Sequence, residues 1–210
     1  MSSKLVVNTL GASNHSEEDR EDLDFYQTPS YATKTLLTEY LSKFPYRNIW
    51  EPTAGNKAIS KVIEQNGGYK VFSSDLVQRK AELDITGSYF DMTAETPGFE
   101  GQYAVVMNPP YKLATEFILH TLEKIKPQLF CIFLPIRYLE GKDRYEKIYS
   151  KYRPDTILTY SSRLGCYKDS DEVAGKVTSR GIASAVAYVW ICFNKDNWSD
   201  PDKYPVLKWA

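Results

Sequence analysis

The run Tyr103-Ala104-Val105-Val106-Met107 passes directly into Asn108-Pro109-Pro110-Tyr111. Five apolar or aromatic residues without a polar break predict a strand buried on both faces. Two consecutive prolines cannot continue that strand, because each lacks a ladder donor and fixes φ. The chain must turn at Asn108, at the strand's carboxyl end. Apolar residues then return at helical spacing over residues 113–122. Strand, rigid turn and helix in this order are how α/β proteins place chemistry at the carboxyl edge of a sheet. Taken alone, the tetrad reads either as a rigid connection or as an amide, a carbonyl and an aromatic ring gathered on one loop.

Upstream, Asn48-Ile49-Trp50-Glu51 predicts a short strand ending in an acid, followed by Pro52-Thr53-Ala54-Gly55 and a helix beginning near Ala58. A turn of small residues at the start of a helix lets a ligand approach backbone N–H groups at the positive end of the helix dipole. A full G-x-G-x-x-G is absent, so the dinucleotide fingerprint is not met. Residues 69–75 predict the next strand, ending at Asp75. That acid lies about 20 residues past Gly55, the offset at which α/β nucleotide binders hold a ribose hydroxyl pair. The other reading is an exposed acid after a strand.

The remaining elements follow in alternation. A helix is expected over about 31–42, with Thr28 or Ser30 as its cap and Pro29 in its first turn. Residues 85–91 predict a short edge or third strand with a loop. Further strands are expected at 129–135, 156–160 and 183–193, and an amphipathic helix runs from the Glu140-Gly141-Lys142 turn to about 152. Alternating strands and helices predict one α/β domain over 24–210, with a mainly parallel sheet covered on both faces. Seven strands are counted. The last two have no helix between them and are expected as an antiparallel pair at the sheet edge. Residues 1–23, acidic towards their end, predict a flexible arm, and the polar stretch 161–181 an insertion.

A net charge of -1 excludes a chain that holds nucleic acid by overall charge, so any such contact must come from a local basic face. Sixteen tyrosines provide rings beyond what a core needs. Three cysteines and two histidines without ligand spacing predict neither a metal site nor a disulfide framework. Cys131 and Cys192 lie in apolar runs and read as core, while Cys166 stands alone in a polar segment. No apolar run approaches the roughly 20 residues of a membrane helix, and no signal pattern opens the chain. A reducing, cytoplasmic setting is expected.

The order Asp24-Phe25-Tyr26-Gln27-Thr28-Pro29, then Glu51-Pro52-Thr53-Ala54-Gly55, then Asp75, then Asn108-Pro109-Pro110-Tyr111 resembles the amino-methyltransferases that use S-adenosylmethionine. It is most similar to the small N6-adenine DNA methyltransferases of phages and prophages, and the likeness spans nearly everything from Asp24 to Trp209. The tetrad is shared with enzymes that methylate glutamine side chains in proteins and with some RNA methyltransferases.

The resemblance implies a single-domain, Rossmann-like class I methyltransferase fold with S-adenosylmethionine as cofactor and a flipped-out adenine in DNA as acceptor. RNA and protein glutamine stay open as acceptors. Asn108, Pro109, Pro110 and Tyr111 would act on the acceptor. Thr28, Pro29, Glu51, Ala54, Gly55, Asp75, Phe90 and Asp91 would hold the cofactor, with Glu51 and the Ala54–Gly55 backbone facing its methionine part. The family's acid before a phenylalanine is Tyr89 here, and Asp91 follows Phe90. The second glycine of the family turn is Lys57 here, whose side chain either crowds the cofactor or points to solvent. In the first case the chain is an inactive binding protein on a methyltransferase scaffold. No separate target-recognition segment is found. Arg163, Lys176 and Arg180 in the polar stretch, with Arg137, Lys142 and Arg144, are the candidate substrate contacts.

Overall fold

The computed structural model describes residues 26–167, 178–182 and 184–210. The expected arm at 1–23 lies outside these residues, as do Asp24, Phe25 and the central part of the polar stretch. Eight strands are seen among the described residues: β1 (Asn48–Glu51), β2 (Lys70–Asp75), β3 (Ile85–Thr86), β4 (Tyr103–Met107), β5 (Leu129–Pro135), β6 (Thr156–Thr159), β7 (Tyr188–Asn194) and β8 (Val206–Trp209). They form one sheet in the order β3-β2-β1-β4-β5-β7-β6-β8.

All neighbours pair in parallel except β7, which runs antiparallel to both β5 and β6. The expected antiparallel strand is therefore present but lies inside the sheet. The edge belongs to β8, an eighth strand that the sequence pattern does not signal. No helix is seen among the described residues between β6 and β7, and β7 returns antiparallel to β6, with Thr156, Ile157 and Leu158 paired to Cys192, Ile191 and Trp190. β7 fills the slot beside β5 with seven paired residues, Leu129↔Asn194 through Pro135↔Tyr188.

Strand alternation divides the core in two. On one face Ile49, Ala104, Val106, Cys131, Phe133 and Trp190 meet helices α1 (Ser30–Glu39) and α2 (Ala58–Gln65). On the other, Trp50, Val105, Met107, Phe130, Ile132 and Ile191 meet α3 (Ala114–His120) and the helical turns after α4 (Lys142–Arg144). The Trp190 indole N–H donates to Ala32 O at 2.9 Å and ties α1 to the sheet. The buried thiols of Cys131 and Cys192 face each other across β5 and β7, as core residues.

Helices differ from expectation at both ends of α1 and in the turns that follow α3 and α4. α1 stops at Glu39 and gives way to a 3₁₀ turn at Leu41–Lys43. Its N-cap position is Pro29, with no side-chain cap, so neither Thr28 nor Ser30 caps it. Both α3 and α4 widen into π turns, at Thr121–Ile125 and Tyr145–Tyr149. The first π turn ends at Lys126, in the left-handed region at φ 52.

Candidate active site at the carboxyl edge of the sheet

The chain reverses direction of travel between β1 and β4. It first adds β2 and β3 on one side, then crosses back to add β4 and β5 on the other. Such a switch point opens a crevice beyond the carboxyl ends of the strands. Here it is a cavity of about 570 Å³ whose walls include Glu51, Asp75 and Asn108, the residues that end β1 and β2 and follow β4.

Glu51 is 1% exposed. Its Oε2 accepts from the Ser60 amide at 2.8 Å and from the Ser60 hydroxyl, both in the first turns of α2. Burial pushes this carboxyl up to about 8, against the Ser60 hydrogen bonds; the charge of Asp75 raises it further and that of Lys57 lowers it. Asp75 is also raised by burial, which outweighs the backbone N–H groups of Gly55, Val77 and Leu76 and the charge of Arg79.

The turn after β1 closes through local bonds. Ala54 N–H donates to Ser74 O at 3.0 Å, and Lys57 N–H to Ala54 O at 2.6 Å. Gly55, in the left-handed region at φ 52, donates its N–H to Asp75 Oδ2 at 2.8 Å. Ala54 lines the cavity, but Gly55 does not. Contrary to expectation, the Gly55 amide serves the Asp75 carboxylate. Asp75 keeps acceptor capacity beyond that bond, since a carboxylate offers about four lone-pair positions.

The Tyr89–Asp91 segment is a 3₁₀ turn, in which successive side chains point about 120° apart. Tyr89 turns inward, 3% exposed, stacked on Phe117 at 5.5 Å with its hydroxyl bonded to Thr121 Oγ1 at 2.9 Å. Phe90 reaches the cavity rim, 4.8 Å from Phe117. Asp91 takes the third direction, into solvent, and is not part of the cavity wall. Of these two candidate cofactor contacts, Phe90 lines the cavity and Asp91 does not. Leu76, Val77 and Leu113 complete an apolar rim that motif reading missed. The signal for Leu76 and Val77 was their place directly after the strand-ending acid.

At the tetrad, Asn108 Nδ2 donates to Tyr26 O at 2.9 Å and to Thr28 Oγ1 at 3.0 Å, with Cys166 Sγ at 3.7 Å. A backbone carbonyl only accepts, so the Tyr26 contact fixes the sense of the amide. Oδ1 is the atom left for the cavity that Asn108 lines. Pro110 also lines it, whereas Pro109 is buried and Tyr111 stands behind. The Tyr111 ring lies 6.0 Å from Tyr188, its hydroxyl is 3.3 Å from Cys166 Sγ, and its carbonyl accepts from the Tyr138 hydroxyl. Cys166, which sequence patterning leaves alone, joins the two polar members of the tetrad. Burial pushes its thiol up to about 12.

Thr28 lines the cavity and Pro29 does not, being buried at the start of α1. The candidate substrate contacts are mostly engaged locally. Arg144 Nε donates to Glu140 O at 2.7 Å and its guanidinium covers the Tyr138 ring at 4.9 Å. It also donates to Arg137 O at 3.1 Å. Lys142 lies 3.8 Å from Glu146. Arg163 donates to Ala185 O, and Arg180 to the Ser162 hydroxyl while covering the Tyr31 ring at 4.2 Å. Lys176 lies outside the described residues. Lys112, directly after the tetrad, is the lysine on the cavity wall itself. Among the described residues no group of three His, Cys, Asp or Glu side chains could hold a metal ion, and no helix is long and apolar enough to cross a membrane.

No family model matches the chain, and no curated protein sequence does. Several solved structures share its architecture. A "putative RNA methyltransferase" from Pyrococcus horikoshii is 16% identical over 82% of this chain and 87% of its own, with a TM-score of 0.54. A predicted O-methyltransferase from Agrobacterium tumefaciens is 13% identical over 87% of this chain and 85% of its own, at 0.53. A "putative hemolysin" from Lactococcus lactis is 10% identical over 86% and 91%, at 0.54. Identities this low establish shape alone. With the strand order described above, that shape is the single-domain, Rossmann-like class I methyltransferase fold.

Proposed function

We propose that this chain is an S-adenosylmethionine-dependent methyltransferase acting on a planar amino nitrogen, with adenine N6 in DNA as its acceptor. The observation that carries the reading is the fixed amide of Asn108. Its nitrogen is held by Tyr26 O and Thr28 Oγ1 at the wall of a cavity that also contains Glu51 and Asp75.

The cavity suits the cofactor on its own terms. About 570 Å³ lies within the usual range of small-ligand sites. A buried carboxyl near Ser60 suits the ammonium of a methionine moiety, Asp75 suits ribose hydroxyls, and the rim of Leu76, Val77 and Phe90 suits a purine face. Bound there, the cofactor supplies an electrophilic sulfonium methyl group.

The protein's part is to prepare the nitrogen. The lone pair of an exocyclic amine is delocalised into its ring and is a weak nucleophile. Asn108 Oδ1 would accept one amino hydrogen and the Pro109 carbonyl the other, favouring a pyramidal nitrogen with its lone pair exposed. Preorganised dipoles and orientation would do this without a strong base. Tyr111 would stack on the base, which must leave a duplex to reach this loop.

RNA is the second acceptor, the substrate class ascribed to the structurally similar Pyrococcus horikoshii protein. One experiment separates the readings. Purified protein with methyl-labelled S-adenosylmethionine is offered unmodified DNA, RNA and cell extract, and labelled products are identified by mass spectrometry. N6-methyladenine in DNA is expected from the wild type and none from Asn108→Ala. Label in RNA or in protein glutamine moves the acceptor class; no label in any of them, or equal label from Asn108→Ala, sinks the proposal.

A further inference from the structure

An asparagine amide has two nearly isosteric senses, and only one presents an acceptor to an amino group. Something must choose between them. Tyr26 O cannot donate, so the flipped sense would set two acceptors against each other. The Tyr26 carbonyl is itself held in place by the next residue. Gln27 N–H donates to Tyr167 O at 2.7 Å and Tyr167 N–H to Gln27 O at 3.2 Å, pinning the 26–28 segment from its far side.

Thr28 completes the cage. It is 3% exposed and precedes a helix whose start has no side-chain cap, a place where a hydroxyl commonly turns towards the helix. Instead its Oγ1 lies 3.0 Å from Asn108 Nδ2. Resting on the function proposed above, we propose that Thr28 is a positioning residue for Asn108: its hydroxyl holds the second amide N–H and so keeps Oδ1 aimed at the acceptor nitrogen. The role assigned to it by resemblance, closing over the cofactor, is then secondary.

The two roles separate under Thr28→Val, which keeps the side-chain shape and removes the acceptor, and Thr28→Ser, which restores it. Calorimetry with S-adenosylmethionine checks the fold and the cofactor site, and single-turnover methyl transfer at saturating cofactor reads the chemistry. For Thr28→Val the expected transfer rate falls on the order of 10-fold, the worth of about one hydrogen bond, with cofactor affinity held. Thr28→Ser returns it to the wild-type rate. Wild-type transfer by Thr28→Val, or a loss confined to cofactor affinity, overturns the proposal. A second readout needs no turnover: hydrogen exchange of the Asn108 side-chain NH₂ in asparagine-labelled, cofactor-free protein. Protection in the wild type and Thr28→Ser with faster exchange in Thr28→Val is expected; equal exchange in all three overturns the cage. A wild type that shows this pattern but methylates no acceptor would refute the proposed function while the cage stands.

Discussion

Lys57 Nζ lies 3.9 Å from Glu64 Oε1, two turns further along α2. The lysine side chain, 20% exposed, therefore reaches along α2 from its N-cap position. Lys57 is not among the residues lining the cavity. Of the two directions open to this side chain, the structure takes the one that leaves the cavity clear. The backbone, however, keeps the conformation a glycine would favour, φ 62 and ψ 38. A non-glycine residue there costs about 1 kcal/mol, partly offset by the smaller unfolded-state entropy of lysine. The ion pair, long at 3.9 Å and with its Glu64 side open to solvent, contributes little. Lys57→Gly is therefore expected to raise stability by about 0.5–1 kcal/mol in chemical denaturation. Its cofactor affinity by calorimetry should stay at the wild-type value. A large gain in affinity would show that Lys57 crowds the site after all.

Glu51 gives the proposed cofactor site a pH dependence. Its folded-state pKa, raised by burial to about 8, lies above the ordinary carboxyl value. The folded protein therefore holds a proton that the unfolded chain releases, and stability falls as pH rises from the unfolded value through about 8. Glu51→Gln should abolish that fall, with the difference between variant and wild type growing across the same window. A cationic ligand reverses the balance by favouring the carboxylate. Cofactor binding at pH 7 should release a proton, detected by calorimetry in buffers of different ionisation enthalpy, and affinity should rise as pH approaches 8. Glu51→Gln should bind more weakly and without that release.

Much of this site is legible in sequence because each part ends a buried strand with a hard stop. Trp50-Glu51-Pro52 closes β1, Asp75 closes β2 and two prolines close β4, so the side chains that follow must gather at one sheet edge. What stays hidden has physical causes. Cys166 meets Asn108 across 58 residues, through a polar segment without periodicity. Asp91 is lost to solvent because a 3₁₀ turn rotates it away from Phe90. β8 is four residues, three of them exposed, with no alternation to mark it. The place of β7 between β5 and β6 follows from pairing competition within the sheet, which local pattern does not encode.

The cover behind the tetrad depends on two glycines. A Cβ on Gly165 would fall 1.8 Å from Ile182 O, and one on Gly181, at φ 81, would fall 1.7 Å from Gly165 O. Both obstacles are backbone, which cannot swing aside. Gly165→Ala should force the two segments apart and destabilise the protein by about 1–3 kcal/mol. Because Cys166 is the next residue, the variant should also expose its thiol. Alkylation at pH 8 should be slow at all three cysteines of the wild type, since Cys131 and Cys192 are core and burial raises Cys166. In Gly165→Ala a single fast-reacting thiol, identified as Cys166 by peptide mapping, is expected; unchanged alkylation would mean the segments accommodate the methyl group without parting.

Tyr111 would offer two features to the proposed reaction, a ring and a hydroxyl, and the structure engages both. The hydroxyl lies 3.3 Å from Cys166 Sγ and the ring 6.0 Å from Tyr188. If the ring stacks on the acceptor base, its removal costs about 1–3 kcal/mol, the usual worth of a base–aromatic contact. Tyr111→Phe keeps that ring and loses the hydroxyl's contact with the thiol. The expected result is transfer by Tyr111→Phe within a few-fold of wild type, about the effect of one modest hydrogen bond. Tyr111→Ala should lose roughly 10- to 100-fold in transfer efficiency, most of it in the KM for the nucleic acid. Cofactor affinity should be the same in both, because Tyr111 stands outside the cavity wall. Equal losses in the two variants would assign the effect to the hydroxyl and its hold on Cys166, with the base stacked elsewhere.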